Sequence, residues 1–309
     1  MARGDTVRSF SRGSYPELEE LGVECIQGDL QSHDEVLKAC RDCEVIHHVA
    51  AVAGIWGPWE HYHGINTLGT ENLLQCAAET GVKKFVFTSS PSVTFDGSDQ
   101  VGVDESIGYS KRWLCNYPKS KALAEKAVLK AHGRDGLATC ALRPHLIWGP
   151  RDQHLIPRLI DRARAGKLAR VGNGENLIDI IYVENAAAAQ LQAADALEID
   201  SPVGGQAYFI SQSEPVNCWD WIDELLVLAG LPANKRSIPF PAAWAVGGVM
   251  ELAHWLVRST KEPRMTRFLA AQLAKSHWFD ISKARRDFGY HPTISTDEGM
   301  ERLKVSLEV

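Results

Sequence analysis

Apolar and polar positions alternate along this chain in two rhythms. Short apolar runs, Thr6–Ser11, Glu24–Gln27, Val45–Val52, Phe85–Ser89, Thr139–Ile147 and Ile178–Val183, with Ala207–Ile210 further on, predict strands. Between them, the stretches Asp34–Cys40, Thr67–Thr80, Leu123–Ala131 and Ile156–Ala165 predict helices. Strands of this kind in regular alternation with helices predict a parallel sheet covered on both faces, a Rossmann-like doubly wound α/β fold. Past Ser211 the texture changes to a helix at Trp219–Leu228, a proline-punctuated stretch at Leu231–Pro241 and a strongly apolar helix at Ala242–Val257. The chain is therefore expected to divide into a Rossmann-like domain over 1–213 and a smaller, mainly helical substrate lobe over 214–309, to which 150–176 also contributes. The Ala242–Val257 run is shorter than the roughly 20 residues a membrane span needs. Its alternatives are lobe core, a wall for a long apolar substrate, or a weak contact with a membrane surface or a pathway enzyme.

Composition narrows the function classes. At 309 residues, 45% hydrophobic and 23% charged, the chain belongs with soluble globular proteins and outside the disordered and fibrous classes. A net charge of −6 with scattered basic residues gives no footprint for nucleic acid. The opening Met1–Arg8 has no apolar stretch after its charges, so a cytoplasmic location is expected rather than secretion. Seven cysteines, an odd number at irregular spacing, fit reduced thiols. Cys40 and Cys43 form a lone Cys-x-x-Cys, and His61 and His63 lack a matching carboxylate or cysteine cluster, so no metal site is expected.

The candidate chemistry lies in Tyr117-Pro118-Lys119-Ser120-Lys121, downstream of the strand ending in Thr88-Ser89-Ser90. Ser120–Lys130 is built of strong helix formers, and Pro118 is tolerated in a first turn. Tyr117 and Lys121 are then one turn apart on one face. An ammonium there would lower the phenol pKa from its ordinary value near 10 and make Tyr117 a proton donor, with Ser90 hydrogen-bonding the same substrate oxygen. The Tyr-x-x-x-Lys spacing alone is weak; the surrounding strands give it its weight.

Several motifs in order resemble the extended short-chain dehydrogenase/reductases, in their 3β-hydroxysteroid dehydrogenase-like branch. They are Asp29-Leu30, His48-Val49-Ala50-Ala51, Asn66–Asn72, Thr88-Ser89-Ser90, Tyr117 with Lys121, Leu142-Arg143-Pro144 with Trp148-Gly149-Pro150, and Asp179–Asn185. Thr88–Thr94, Leu142–Pro150 and His277–Asp280 are most similar to the bacterial 2-alkyl-3-oxoalkanoate reductases of long-chain olefin biosynthesis. The resemblance implies catalysis by Tyr117, Lys121, Ser90 and Asn66. It also implies a nicotinamide cofactor held by Ser11, Arg12, Asp29, Leu30, Ala50, Ala51, Val52, Thr88, Tyr117, Lys121, Pro144, Leu146 and Ile147. Arg12 stands where an NAD-specific enzyme carries an acidic residue, which favours NADP(H) over NAD(H). Trp56, Trp59, Tyr62 and Trp148 are expected to line an apolar substrate pocket, and the helix from Asn66 to Thr80 to support a homodimer.

The family's first strand and Gly-x-x-Gly-x-x-Gly turn have no counterpart here, and a truncated sequence is expected, with both the sheet and the pyrophosphate site affected. Three functions follow: reduction of a 2-alkyl-3-oxo acid, a 3β-hydroxysteroid dehydrogenase, or a non-catalytic NADP-binding or partner-binding protein.

Overall fold

The computed structural model describes residues 3–234 and 236–307. The first half runs β1 (Arg8–Ser11), α1 (Pro16–Glu20), β2 (Glu24–Gln27), α2 (His33–Cys40), β3 (Val45–His48), α3 (Trp59–Tyr62), α4 (Gly69–Thr80), β4 (Lys84–Thr88), β5 (Gln100–Val103) and α5 (Asn116–Ala131). It continues through β6 (Ala138–Pro144), β7 (Ile147–Trp148), α6 (Leu155–Arg164), β8 (Arg170–Val171), β9 (Leu177–Ile178), β10 (Ile181–Tyr182), α7 (Val183–Ala196) and β11 (Ala207–Ile210). The remainder is β12 (Val216–Asn217), α8 (Cys218–Leu228), β13 (Ser237–Ile238), α9 (Phe240–Leu256), α10 (Arg267–Ala274), β14 (His277–Phe279), α11 (Ser282–Phe288) and α12 (Thr296–Leu307).

The central sheet has the order β11-β6-β4-β3, with all neighbours parallel. Its middle is apolar on both faces: Phe85, Val86 and Phe87 of β4 are fully buried, one face packing under α2, α4 and α5 and the other under α7 and α11. This is the Rossmann-like arrangement, but its sheet is interrupted. β1 and β2 form a separate parallel pair, and β3 has no strand on its outer side among the described residues. Val45 and His47 are accordingly exposed there, which strands buried on both faces avoid.

Several elements depart from the predicted bounds for local reasons. The run Val45–Val52 leaves the sheet after His48, because the chain turns toward Gly54, whose φ of 141° suits glycine. Thr139–Ile147 breaks at Pro144, which has no N–H for a ladder, and resumes as β7 beside β10. Ile178–Val183 is two short strands, β9 and β10, in different sheets. The predicted helix Thr67–Thr80 enters through a π-helical turn, His63–Leu68. The helix predicted from Leu123 begins at Asn116.

A second core gathers Trp148, Trp219, Trp221, Ile222, Leu225 and Leu303. It does not include most of α9, so the expectation that this helix forms lobe core is corrected: only Ala243, Gly247 and Glu251 are buried, while Val249, Leu252, Trp255 and Leu256 are more than half exposed. Among the described residues no helix is long and apolar enough to cross a membrane. The apolar positions of α4, expected to serve a dimer, are turned inward: Leu73, Leu74, Cys76 and Ala77 are buried with residues of α2 and α5.

Candidate active site

Helix α5 carries the chemistry, and its early start matters because it places Tyr117 and Lys121 on consecutive turns of one helix. Lys121 is 1% exposed, donates from Nζ to the Thr88 carbonyl at 2.7 Å and lies 4.0 Å from the centre of the Phe87 ring. Burial pulls its pKa down to about 7, against the partial support of Glu125 one turn further along. Glu125 is itself fully buried in a fork with Arg143, at 3.0 and 2.6 Å, and accepts from the Tyr109 hydroxyl at 2.8 Å. A buried carboxylate so paired fixes the rear face of the helix.

Tyr117 is half-buried and faces a chamber of about 220 Å³. Burial pushes its pKa up to about 12, against the hydrogen-bonding influence of Ser90. The expectation that Lys121 lowers this phenol is therefore corrected: the ammonium is directed to the Thr88 carbonyl and desolvation governs Tyr117. Ser90 lines the same chamber, and its Oγ lies 2.8 Å from the Ser92 hydroxyl and accepts from the Ser92 N–H at 3.2 Å. Asn66, on the π-helical turn, is buried and already engaged: its Oδ1 accepts from Val52 N at 2.7 Å, and its Nδ2 donates to Val52 O and Ser120 Oγ, both at 3.0 Å. It ties the loop after β3 to α5, and with its amide groups so committed it acts as a clamp.

Pro144 and Leu146 line the chamber, Leu146 with a strained φ of 44°. Ile147 does not line it; this residue is exposed on β7 opposite Ile181. The expected pocket aromatics separate. Trp56 and Trp59 line a neighbouring cavity of about 1070 Å³, shared with Leu114, Leu252, Trp255 and Leu256. Charged and polar groups, among them Glu60, Glu251, Arg258 and Arg267, also line that cavity, so it is more mixed than the apolar wall expected. Ile55 borders both spaces. Tyr62 lies beneath this wall: it is 3% exposed, and its hydroxyl donates to the Trp56 carbonyl at 3.0 Å. That hydroxyl is also 2.8 Å from where a Cβ on Gly54 would stand. Trp148 is no pocket residue at all, being 1% exposed and packed edge-on against Tyr182 and Trp221.

His145, His277 and Arg158 also line the chamber, and the sequence assigned none of them to the site. His145 Nε2 meets His277 Nδ1 at 2.6 Å, and His277 Nε2 lies 2.9 Å from the Gln272 carbonyl. The carbonyl requires a proton on His277 Nε2, so His277 Nδ1 accepts and His145 Nε2 donates. Burial holds both imidazoles below their ordinary pKa, hence neutral at pH 7. His277 reaches the site because β14 pairs with β5, although the two are far apart in sequence. Arg158 of α6 is the third. The motif His277–Asp280 was a legible signal; Arg158 had none.

The residues assigned to a nicotinamide cofactor lie at or just past the carboxyl ends of the parallel strands: Ser11 ends β1 and Arg12 follows it, Asp29 and Leu30 come after β2, Ala50, Ala51 and Val52 after β3, and Thr88 ends β4. That is where open α/β sheets bind ligands. Arg12, Ala50 and Ala51 are exposed along this crevice, Asp29 Oδ1 accepts from Gln31 N at 2.9 Å, and Gly28 N donates to the Ser11 carbonyl at 2.9 Å. Lys121 spends one N–H on Thr88, and the neighbouring Ser89 Oγ is buried with no partner among the described residues. These features fit the nicotinamide and adenosine ends of such a cofactor. No glycine-rich strand-to-helix turn accompanies them among the described residues.

Comparison with known proteins agrees with this geometry. The chain is 46% identical to a 2-alkyl-3-oxoalkanoate reductase of Shewanella oneidensis, over 99% of this chain and 81% of that protein. It is 43% identical to one from Stenotrophomonas maltophilia, over 98% and 92%. The mouse sterol-4-alpha-carboxylate 3-dehydrogenase, decarboxylating, is 33% identical over 98% and 84%. Among solved structures, a UDP-glucuronic acid 4-epimerase from Bacillus cereus in complex with NAD shares the fold, with a TM-score of 0.74 at 22% identity over 99% of this chain and 91% of that one. The family model for 3-beta hydroxysteroid dehydrogenase/isomerase matches residues 5–241. The chain belongs to the 3-beta hydroxysteroid dehydrogenase/isomerase family and is an NAD(P)-dependent oxidoreductase of the extended short-chain dehydrogenase/reductase class, acting on CH–OH and C=O groups.

Proposed function

We propose that this protein reduces a 2-alkyl-3-oxoalkanoate to the 2-alkyl-3-hydroxyalkanoate with NADPH. The observation that carries the reading is the adjacency, through Ile55, of the small chamber holding Tyr117 and Ser90 to the large cavity bordered by Trp56, Leu114, Leu252 and Trp255. A polar head and long alkyl chains need two such spaces. The two bacterial reductases named above support the same substrate class.

Lys121, Tyr117, Thr88 and Pro144 would hold the nicotinamide end of the cofactor, and Ser11 and Arg12 the adenosine end. When bound, the reduced nicotinamide supplies the hydride. Tyr117, kept as the neutral phenol by burial, is in the proton-donating form at pH 7 and delivers its proton to the ketone oxygen. The Ser90 hydroxyl donates to that oxygen as charge develops on it. With a pKa near 7, Lys121 stands ready to take up or release a proton behind the phenol. Exposed Arg12 supports a 2′-phosphate on the cofactor.

Turnover of a 2-alkyl-3-oxoalkanoate against a 3β-hydroxysterol and a sterol 4-carboxylate tests the assignment. The branched oxo acid should be preferred at least tenfold in kcat/KM; a preference for either sterol would assign the chain to the steroid branch.

A further inference from the structure

The catalytic chamber contains one formally charged side chain. Of its lining residues among those described, Arg158 alone is a lysine, arginine, aspartate or glutamate; the rest are hydroxyl, amide, imidazole, aromatic and aliphatic groups or glycine. Its side chain is 48% exposed, so the guanidinium is accessible to a ligand. It is held by Glu262, which also faces Arg162 at 3.4 Å, one turn further along α6. One carboxylate cannot neutralise two guanidinium groups, and this corner keeps a positive charge beside the chamber. The repulsion shows on Arg162, whose pKa is lowered by burial and by Arg158. At about 220 Å³ the chamber is smaller than the roughly 300 Å³ at which drug-sized pockets begin, so it holds a head group and sends chains past Ile55.

Building on the reductase reading, we propose that Arg158 anchors the carboxylate of the substrate, so that the site selects acids oxygenated at the β carbon over neutral ketones and alcohols. A planar guanidinium receives a carboxylate through two parallel N–H bonds, which orients the acid as well as attracting it. Glu262 presents the fork while no acid is bound and continues to balance Arg162 afterwards.

The test compares the wild-type chain with Arg158→Met and Arg158→Lys in the oxidative direction, using a 2-alkyl-3-hydroxyalkanoate and its methyl ester with NADP⁺. Arg158→Met should raise KM for the acid about 10- to 100-fold, the range of a lost charge-assisted hydrogen bond, and leave the ester within about threefold. Arg158→Lys should fall between, because a point charge lacks the fork. Ester turnover by the Met variant reports that it is folded. Equal losses on acid and ester, an unchanged KM for the acid, or weakened NADP⁺ binding would each overturn the assignment. If neither compound is turned over, the reductase reading fails, and calorimetry with 2-hexyldecanoate still decides the carboxylate site. Its Kd should rise about 10- to 100-fold in Arg158→Met, and an unchanged Kd refutes the proposal.

Discussion

Replacing Lys121 with methionine should make the protein more stable at neutral pH while removing its activity. The lysine stem is buried, and methionine keeps much of its volume without the charge. The native pKa of about 7 lies below the ordinary 10.5 of the unfolded chain. Near pH 7 the amine therefore costs the fold about 4 to 5 kcal/mol, at ~1.4 kcal/mol per pKa unit. Against this stand the bond to the Thr88 carbonyl and the contact with the Phe87 ring, together about 2 kcal/mol. The net gain for the variant is about 2 to 3 kcal/mol, or ~3–5 °C for a chain of this length. The pH dependence has a fixed sign. Between pH 7 and about 10 the unfolded lysine holds a proton that the native one has shed, so wild-type stability rises with pH relative to the variant. The advantage of Lys121→Met should shrink above pH 7 and vanish or reverse near pH 9.5. Urea midpoints for both proteins at pH 7.0 and 9.5 measure this. A variant less stable at pH 7, or a gap that widens with pH, would refute the claim that Lys121 is held at the expense of stability.

Three further outcomes follow. Asn66→Leu should destabilise the fold by about 2–4 kcal/mol in calorimetry, because Val52 loses partners for both its N–H and its carbonyl. Trp148→Ala should cost about 3–5 kcal/mol as a core truncation, whereas Trp56→Ala should cost about 1 kcal/mol and chiefly raise KM for long alkyl chains; equal destabilisation would contradict this division. Arg12→Ala should weaken NADPH about tenfold in a fluorescence titration and leave NADH within twofold, the loss shrinking at high salt because Arg12 is exposed.

The parallel sheet was legible because its strands are apolar on both sides. Glu24–Gln27 and Ala207–Ile210 fall on their predicted bounds. The one-turn spacing of Tyr117 and Lys121 was legible too, since spacing on a helix is local. What depended on distant chain was not. Trp148 belongs to a family motif but is covered by Trp221 from α8, so its burial has no local signal. The direction of the Tyr117 shift is set by burial, which spacing does not encode. Arg158 enters the chamber on α6 with no sequence signal, and the place of His277 there, though not its motif, depends on β14 pairing with the distant β5.

Hydride tracing follows the reduction at the reacting carbon. The purified chain is incubated with a 2-alkyl-3-oxoalkanoate and NADPH deuterated at the transferable position, and the product is analysed by mass spectrometry and NMR. Deuterium at C3 of the 2-alkyl-3-hydroxyalkanoate, with a rate at least about a hundredfold lower in Tyr117→Phe, is the predicted result. Absence of label at C3, or labelling at an undiminished rate without the Tyr117 hydroxyl, would contradict it.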